Sequence, residues 1–176
     1  GSQPVGRRLG PAMEARDVLM VLEKNTSGPV DLRNRAIRMA GLILELVKKA
    51  RPGTGFKVAE NLIENGEALK KLKEIIAAQG GDSKITSAEI QIGKYDETVF
   101  AERTGAIQAI DNNIIKRLGR HLGAPYSKGA GLYLHVKVGD KVKDGDKLFT
   151  LYAESGRKLA EGLEYAEVNN PYKIKE

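Results

Sequence analysis

Val138-Gly139-Asp140-Lys141-Val142-Lys143-Asp144-Gly145-Asp146-Lys147-Leu148 is the stretch that decides how the second half of this chain folds. Gly139-Asp140 and Gly145-Asp146 are turn pairs: glycine accepts a left-handed backbone, and aspartate bonds to its own main chain. Between and after them, Val142 and Leu148 are apolar positions that point into a small sandwich. The turns separate two segments with strand patterning, 132–138 and 147–152.

Working outward, three more short strands are expected at 85–92, 98–101 and 106–110, punctuated by Gly93, Gly105 and the polar Lys94-Tyr95-Asp96. Ile114, Ile115, Leu118 and Leu122 share one face of a helix over 113–122. Ser155 suits the cap of a final helix running through Tyr165, and the tail 169–176 is expected to be loose.

Upstream of Asp82 the period changes to helical. Ala15, Val18, Leu19 and Leu22 follow Pro11, which fits a first-turn position. A second helix runs from about Val30 to about Ala50, with Ile37, Ala40, Gly41, Leu44 and Val47 as its apolar face. Arg51-Pro52-Gly53 ends it. A short helix carries Ala59, Leu62 and Ile63, and another carries Ala68, Leu69, Leu72, Ile75 and Ile76 up to Gly80-Gly81. The fold class is therefore α+β, with a helical part at 1–82 and a β-rich part at 83–176.

The 176 residues include 29 Lys plus Arg, 23 Asp plus Glu and no Cys, for a net charge of +6. Hydrophobic residues make up 41% and charged residues 30%, the balance of an ordinary globular chain. No apolar run approaches the ~20 residues of a membrane helix, and residues 1–10 hold no signal-peptide core, so the expected location is cytoplasmic. The basic excess is dispersed among acids, as with Lys70, Lys71 and Lys73 between Glu67 and Glu74. That favours a solvated, charge-rich surface of the kind common in proteins from hot habitats over a nucleic-acid footprint, which clusters on one face.

Catalytic constellations are sparse. His121 and His135 do not stand at zinc-ligand spacing, and each reads as a surface or strand-face histidine. Glu14 and Asp17 are better explained by a helix N-terminus than by a shared acid–base site. Asp140, Asp144 and Asp146 lack the order of a calcium loop and read as turn residues. The loop Gly123-Ala124-Pro125-Tyr126-Ser127-Lys128-Gly129-Ala130-Gly131 could offer Lys128 and backbone amides to an anion. A connection into the next strand is the simpler account. No metal or cofactor is called for.

Two resemblances follow. The Gly-Asp hairpin is similar to that of biotinyl and lipoyl carrier domains, yet 149–156 presents no lysine for modification, so a carrier role is disfavoured. Over nearly the whole chain, ordered motifs resemble the thymidine and pyrimidine-nucleoside phosphorylase family. They are Gly1-Ser2-Gln3-Pro4-Val5-Gly6-Arg7, Gly10-Pro11-Ala12-Met13-Glu14-Ala15-Arg16-Asp17, Asn65-Gly66-Glu67-Ala68, Ala77-Ala78-Gln79-Gly80-Gly81-Asp82, and Lys128-Gly129-Ala130-Gly131 through Asp140. The wording is closest to the archaeal AMP phosphorylase branch.

The resemblance implies that the chain corresponds to the carboxy-terminal part of such a glycosyltransferase. In the complete enzyme, phosphate attacks the anomeric carbon, the base leaves and a sugar phosphate forms. For AMP the products are adenine and ribose 1,5-bisphosphate; a thymidine or pyrimidine-nucleoside substrate is the alternative. The phosphate loop and base-binding residues of the family precede the segment matched here, so no catalytic residue is carried over, and the isolated chain is expected to be structural. Gln3 is the one position the resemblance sets near the site. The implied partners are the remainder of the phosphorylase chain, with nucleotide and phosphate as its substrates, and further copies in a homo-oligomer. Carrier-like and nucleic-acid-binding modules remain as alternatives from other classes.

Overall fold

The computed structural model describes residues 3–175; Gly1 and Ser2, part of the opening motif, lie outside the described residues, as does Glu176. The architecture is mixed α+β. Among the described residues there are six helices and two small antiparallel sheets. Two compact units form: one joins the chain through Ala15 to everything from Gln91 onward, and the other is Arg16–Ile90. Compactness thus groups the opening residues and 83–90 differently from the expected division at 82/83.

The first unit holds both sheets. One is ordered β1 (Arg8–Leu9), β4 (Gly131–Leu134), β6 (Lys147–Ala153), β2 (Tyr95–Phe100). The other is β5 (Lys141–Val142), β3 (Gly105–Ile110), β7 (Tyr172–Lys175). In the first sheet, Leu9, Leu132 and Leu151 are matched across three strands, so their side chains fall on one face. That face is apolar and packs with Leu118 of α5 (Asn112–His121), Leu122 just after it and Ala166 of α6 (Gly156–Val168). Leu118, Leu122, Leu132, Leu148 and Leu151 are fully buried. The hairpin behaves as its sequence requires: Asp140 accepts from Lys137 N–H at 2.8 Å, Asp146 accepts from Lys143 N–H at 2.7 Å, and Val142 and Leu148 enter the core. Ser155 Oγ caps α6 by accepting Lys158 N–H at 3.3 Å, and Asp111 caps α5 through the N–H groups of Asn113 and Ile114.

Gly131 shows how tightly β1 sits. A Cβ there would lie 1.9 Å from Leu9 O, so no side chain fits where the two backbones meet. The tail is a strand, not loose as expected. Tyr172 carries β7 into the core, its ring stacked on Phe149 at 5.8 Å and its hydroxyl 3.1 Å from Val136 O and 3.3 Å from Leu148 O. Burial pushes that phenol's pKa upward.

In the second unit, α2 (Val30–Leu46) packs on α3 (Gly55–Glu64), with α4 (Glu67–Ala78) following. The helices approach closely at Gly41 and Gly55: a Cβ on Gly55 would lie 2.2 Å from Gly41 O. Ile37, Ala59 and Ile63 form the buried cluster, with Leu22, Leu44 and Ala68 against it. Arg33 joins the pair by binding Glu64 at 2.6 Å and Glu60 at 3.2 Å. The expected inner face of α2 needs correction: Ile37, Gly41 and Leu44 turn inward, whereas Ala40 and Val47 are exposed. The stripe on α4 is covered only in part, and Ile75 is exposed.

The expected strand at 85–92 is irregular chain. Its polar groups are taken up by side chains of the same unit instead of by a ladder. Ser87 binds Glu23 through both N–H (2.9 Å) and Oγ (2.5 Å), Thr86 binds Glu89 through N–H (2.9 Å) and Oγ (2.7 Å), and Arg16 donates to Ile90 O at 2.6 Å. Strand β4 also stops at Leu134, short of the expected Val138.

These packing differences set a stability prediction. Leu132→Ala, in the sheet core, should cost about 2–5 kcal/mol, while Leu46→Ala, on the open side of α2, should stay within about 0.5 kcal/mol. Denaturant titration of the two variants measures both.

Candidate functional site

The groups with chemical potential collect in the first unit around the opening segment. Lys137 reaches back to it, donating Nζ to Pro4 O at 2.9 Å and also to Gly6 O. Gln3 accepts Val138 N–H at 3.3 Å through Oε1. Arg7 Nη1 donates to His135 O at 2.7 Å, and Leu134 N–H donates to Arg7 O at 2.7 Å. The chain then enters β1 and turns through Gly10, with φ +116°, into α1 (Pro11–Leu22).

One open cleft of about 350 Å³ lies at that turn, in the same unit. Leu9, Pro11, Ala124 and Pro125 give it apolar walls; Glu14, Lys116 and Arg120 bring charge. Lys116 and Arg120 stand four apart on α5, so they share a face. Glu14 is already committed, accepting Gly10 N–H at 3.1 Å at the start of α1, where a carboxylate also complements the helix dipole. The cleft therefore offers two cations beside a carboxylate and an apolar floor.

A second cluster lies on the sheet face away from the core. Register places Arg8, Tyr133, Thr150 and Thr98 in one cross-strand row. Arg8 lies 4.7 Å above the Tyr133 ring, and Tyr133 meets His135 edge-on at 4.8 Å. His135 Nε2 and Thr150 Oγ1 are 2.8 Å apart, and Thr150 and Thr98 hydroxyls are 2.8 Å apart. Desolvation first, then the charges of Lys147 and Arg7, push the His135 pKa below its usual value. A neutral imidazole, bonded to a threonine, is thus the resting state near neutral pH.

Most residues singled out in the sequence serve the fold. His121 stacks on Tyr165 at 4.5 Å. The glycine loop is a junction: Gly129 N–H is held by Glu154 Oε1 at 2.7 Å, Gly129 O accepts Gly93 N–H, and Lys128 O accepts Ala12 N–H. A carboxylate on the amide that an anion would need makes this loop a poor anion cradle. Asp140 and Asp146 are turn ligands, and Asp144 N–H donates to Thr104. Asp17 is buried. Among the described residues no group of three or more His, Cys, Asp or Glu is placed to hold a metal ion, and no helix is long and apolar enough to cross a membrane. Sequence reading missed the cluster of Arg8, Tyr133, His135 and Thr150, because cross-strand register joins residues distant in the chain, Arg8 and Tyr133 being 125 positions apart.

Residues 106–175 match the pyrimidine nucleoside phosphorylase C-terminal domain. The chain is similar along 174 residues to an AMP phosphorylase of Thermococcus kodakarensis and to one of Pyrococcus abyssi, each at 45% identity, covering 99% of this chain and 34% of the relative. An AMP phosphorylase of Methanosarcina barkeri is 43% identical over 171 residues, 97% of this chain and 34% of the relative. The chain thus spans about a third of the length of these relatives.

A lowered His135 pKa makes the imidazole resist protonation in the folded state, while the unfolded chain takes up its proton near pH 6.5. The unfolded state then holds more protons, so this group's contribution to stability is complete above about pH 6.5 and is lost as pH falls from there through the lower folded-state value. In an NMR titration the His135 midpoint should lie below the usual imidazole value, and Lys147→Gln should raise it.

Proposed function

We propose that this chain, which carries a pyrimidine nucleoside phosphorylase C-terminal domain and is homologous to the carboxy-terminal third of AMP phosphorylases, is the supporting part of a nucleotide phosphorylase and holds no catalytic residue of its own. The complete enzyme is a glycosyltransferase. Inorganic phosphate attacks the anomeric carbon of AMP, the bond from sugar to adenine breaks, and ribose 1,5-bisphosphate and adenine leave. Thymidine or another pyrimidine nucleoside is the alternative substrate class.

One observation carries this reading. The carboxylates and the lysine around the opening segment and the hairpin are spent on the chain's own backbone and turns: Glu14 on Gly10, Glu154 on Gly129, Lys137 on Pro4 and Gly6, Asp140 and Asp146 on the hairpin. Phosphorolysis needs donors aimed at a phosphate and an acid or donor at the departing base. Groups already satisfied by structure supply neither. Their work is to fix the opening segment, Gln3 included, against the β-rich unit, and this segment borders the substrate site in the assembled enzyme. The remainder of a phosphorylase chain is the partner, and further copies in a homo-oligomer complete the assembly.

Phosphate-dependent adenine release from AMP tests the proposal. The 176-residue chain alone should give none. Co-expressed with the upstream two thirds of the Thermococcus kodakarensis relative, it should restore turnover. Turnover by the chain alone would overturn the reading.

A further inference from the structure

The cleft at the Gly10 turn holds charges that neither the fold nor the proposed function uses. Helix α5 carries Lys116, Arg117, Arg120 and His121 and no acid. His121 is stacked on Tyr165. Arg120 stands in the last turn, where a cation answers the helix dipole. Lys116 lies a turn earlier, where the dipole gives no such reason for a cation. Among the described residues, the side chains of Lys116 and Arg120 have no hydrogen bond or ion pair. Both are exposed, and both line the cleft.

A second wall comes from α1. Glu14 spends Oε1 on Gly10 N–H at 3.1 Å and has Oε2 left over. The remaining lining side chains are apolar: Leu9, Pro11, Ala124 and Pro125. This floor is fixed, because Leu9 and Ala124 pack on the core. A Cβ at Gly119 would lie 2.7 Å from Leu9 Cδ2, so helix and strand close on each other there with no space to give. A cleft of about 350 Å³ falls within the size of small-ligand sites, about 300–1,000 Å³.

These features select a ligand. Two cations four apart on one helix face match a phosphomonoester: the arginine fork takes two of its oxygens and the lysine a third. A carboxylate with a spare oxygen accepts from an N–H donor and repels a second anion. An apolar floor takes a flat ring. Phosphate, flat ring and amino group together describe a nucleoside monophosphate whose base carries an exocyclic amine. An inorganic anion would use the cations and leave the floor wet. An uncharged ring would leave the cations unused.

We propose that this cleft binds such a nucleotide, with its phosphate on Lys116 and Arg120, its base against Leu9, Pro11 and Pro125, and its amine on Glu14. The proposal stands on the cleft alone and does not depend on the function proposed above.

Calorimetric titration of the 176-residue chain with AMP, IMP, adenosine and inorganic phosphate tests it. AMP should bind, and each of the other three should bind at least about tenfold more weakly. Lys116→Gln and Arg120→Gln should each weaken AMP about tenfold. Arg117→Gln removes the same charge from the same helix at a residue that does not line the cleft, and should leave AMP within about twofold. Glu14→Gln keeps an acceptor for Gly10 N–H and should cut the preference for AMP over IMP to about threefold or less. No binding of AMP at millimolar concentration overturns the proposal. Phosphate or adenosine binding as well as AMP overturns it too, as does a loss in Arg117→Gln as large as that in Arg120→Gln, which would mark an ordinary basic surface. Equal affinity for AMP and IMP removes Glu14 from the site and overturns the class of base. Each of these outcomes leaves the supporting role of the chain standing.

Discussion

The backbone of Leu9 passes Gly131 with no room for a side chain between them, and the first sheet is organised around that contact. It lets two residues of the opening segment become an edge strand on β4. It seats Leu9 over the core beside Leu132 and Leu151, and Arg8 over Tyr133 on the opposite face. Once β1 is fixed, the turn at Gly10 and the start of α1 follow, with Lys128 O receiving Ala12 N–H. A residue larger than glycine at 131 would push the strand off and release all of these together.

The two units are stabilised differently. The β-rich unit closes a dense core of leucine, isoleucine and phenylalanine between a sheet and two helices. The helical unit buries only Ile37, Ala59 and Ile63 as a cluster, adds an arginine shared by two glutamates, and leaves much of α2 and α4 uncovered. Exposed ion pairs contribute little, roughly 0–1 kcal/mol. Its own packing therefore contributes less to stability than that of the β-rich unit.

Several polar groups are likewise committed to the chain's own structure. A catalytic site keeps its donors and acids free for substrate and meets the cost of leaving them unpaired. In this chain the carboxylates of Glu14, Glu154, Asp140 and Asp146 are bound to backbone amides, and the amine of Lys137 to carbonyls. The open cleft beside Lys116 and Arg120 and the sheet face around His135 retain chemical character, yet both are set by the packing of the opening segment.

Local patterning alone determined the elements whose signals are short-ranged: the Gly-Asp hairpin, the Ser155 cap, and the presence of helices α1, α3 and α5. The motifs that resemble the phosphorylase family, from Gly1 to Asp140, were legible for the same reason, since they are runs of neighbouring residues. Tertiary structure decided what depends on distant partners. Whether 85–92 forms a strand turned on Glu23, which takes the polar groups of Ser87. Whether the tail is ordered turned on β3, which β7 joins at its end. Which side of α2 is covered turned on Gly41 meeting Gly55, because a helix with apolar residues all round does not itself specify the face a neighbour will take.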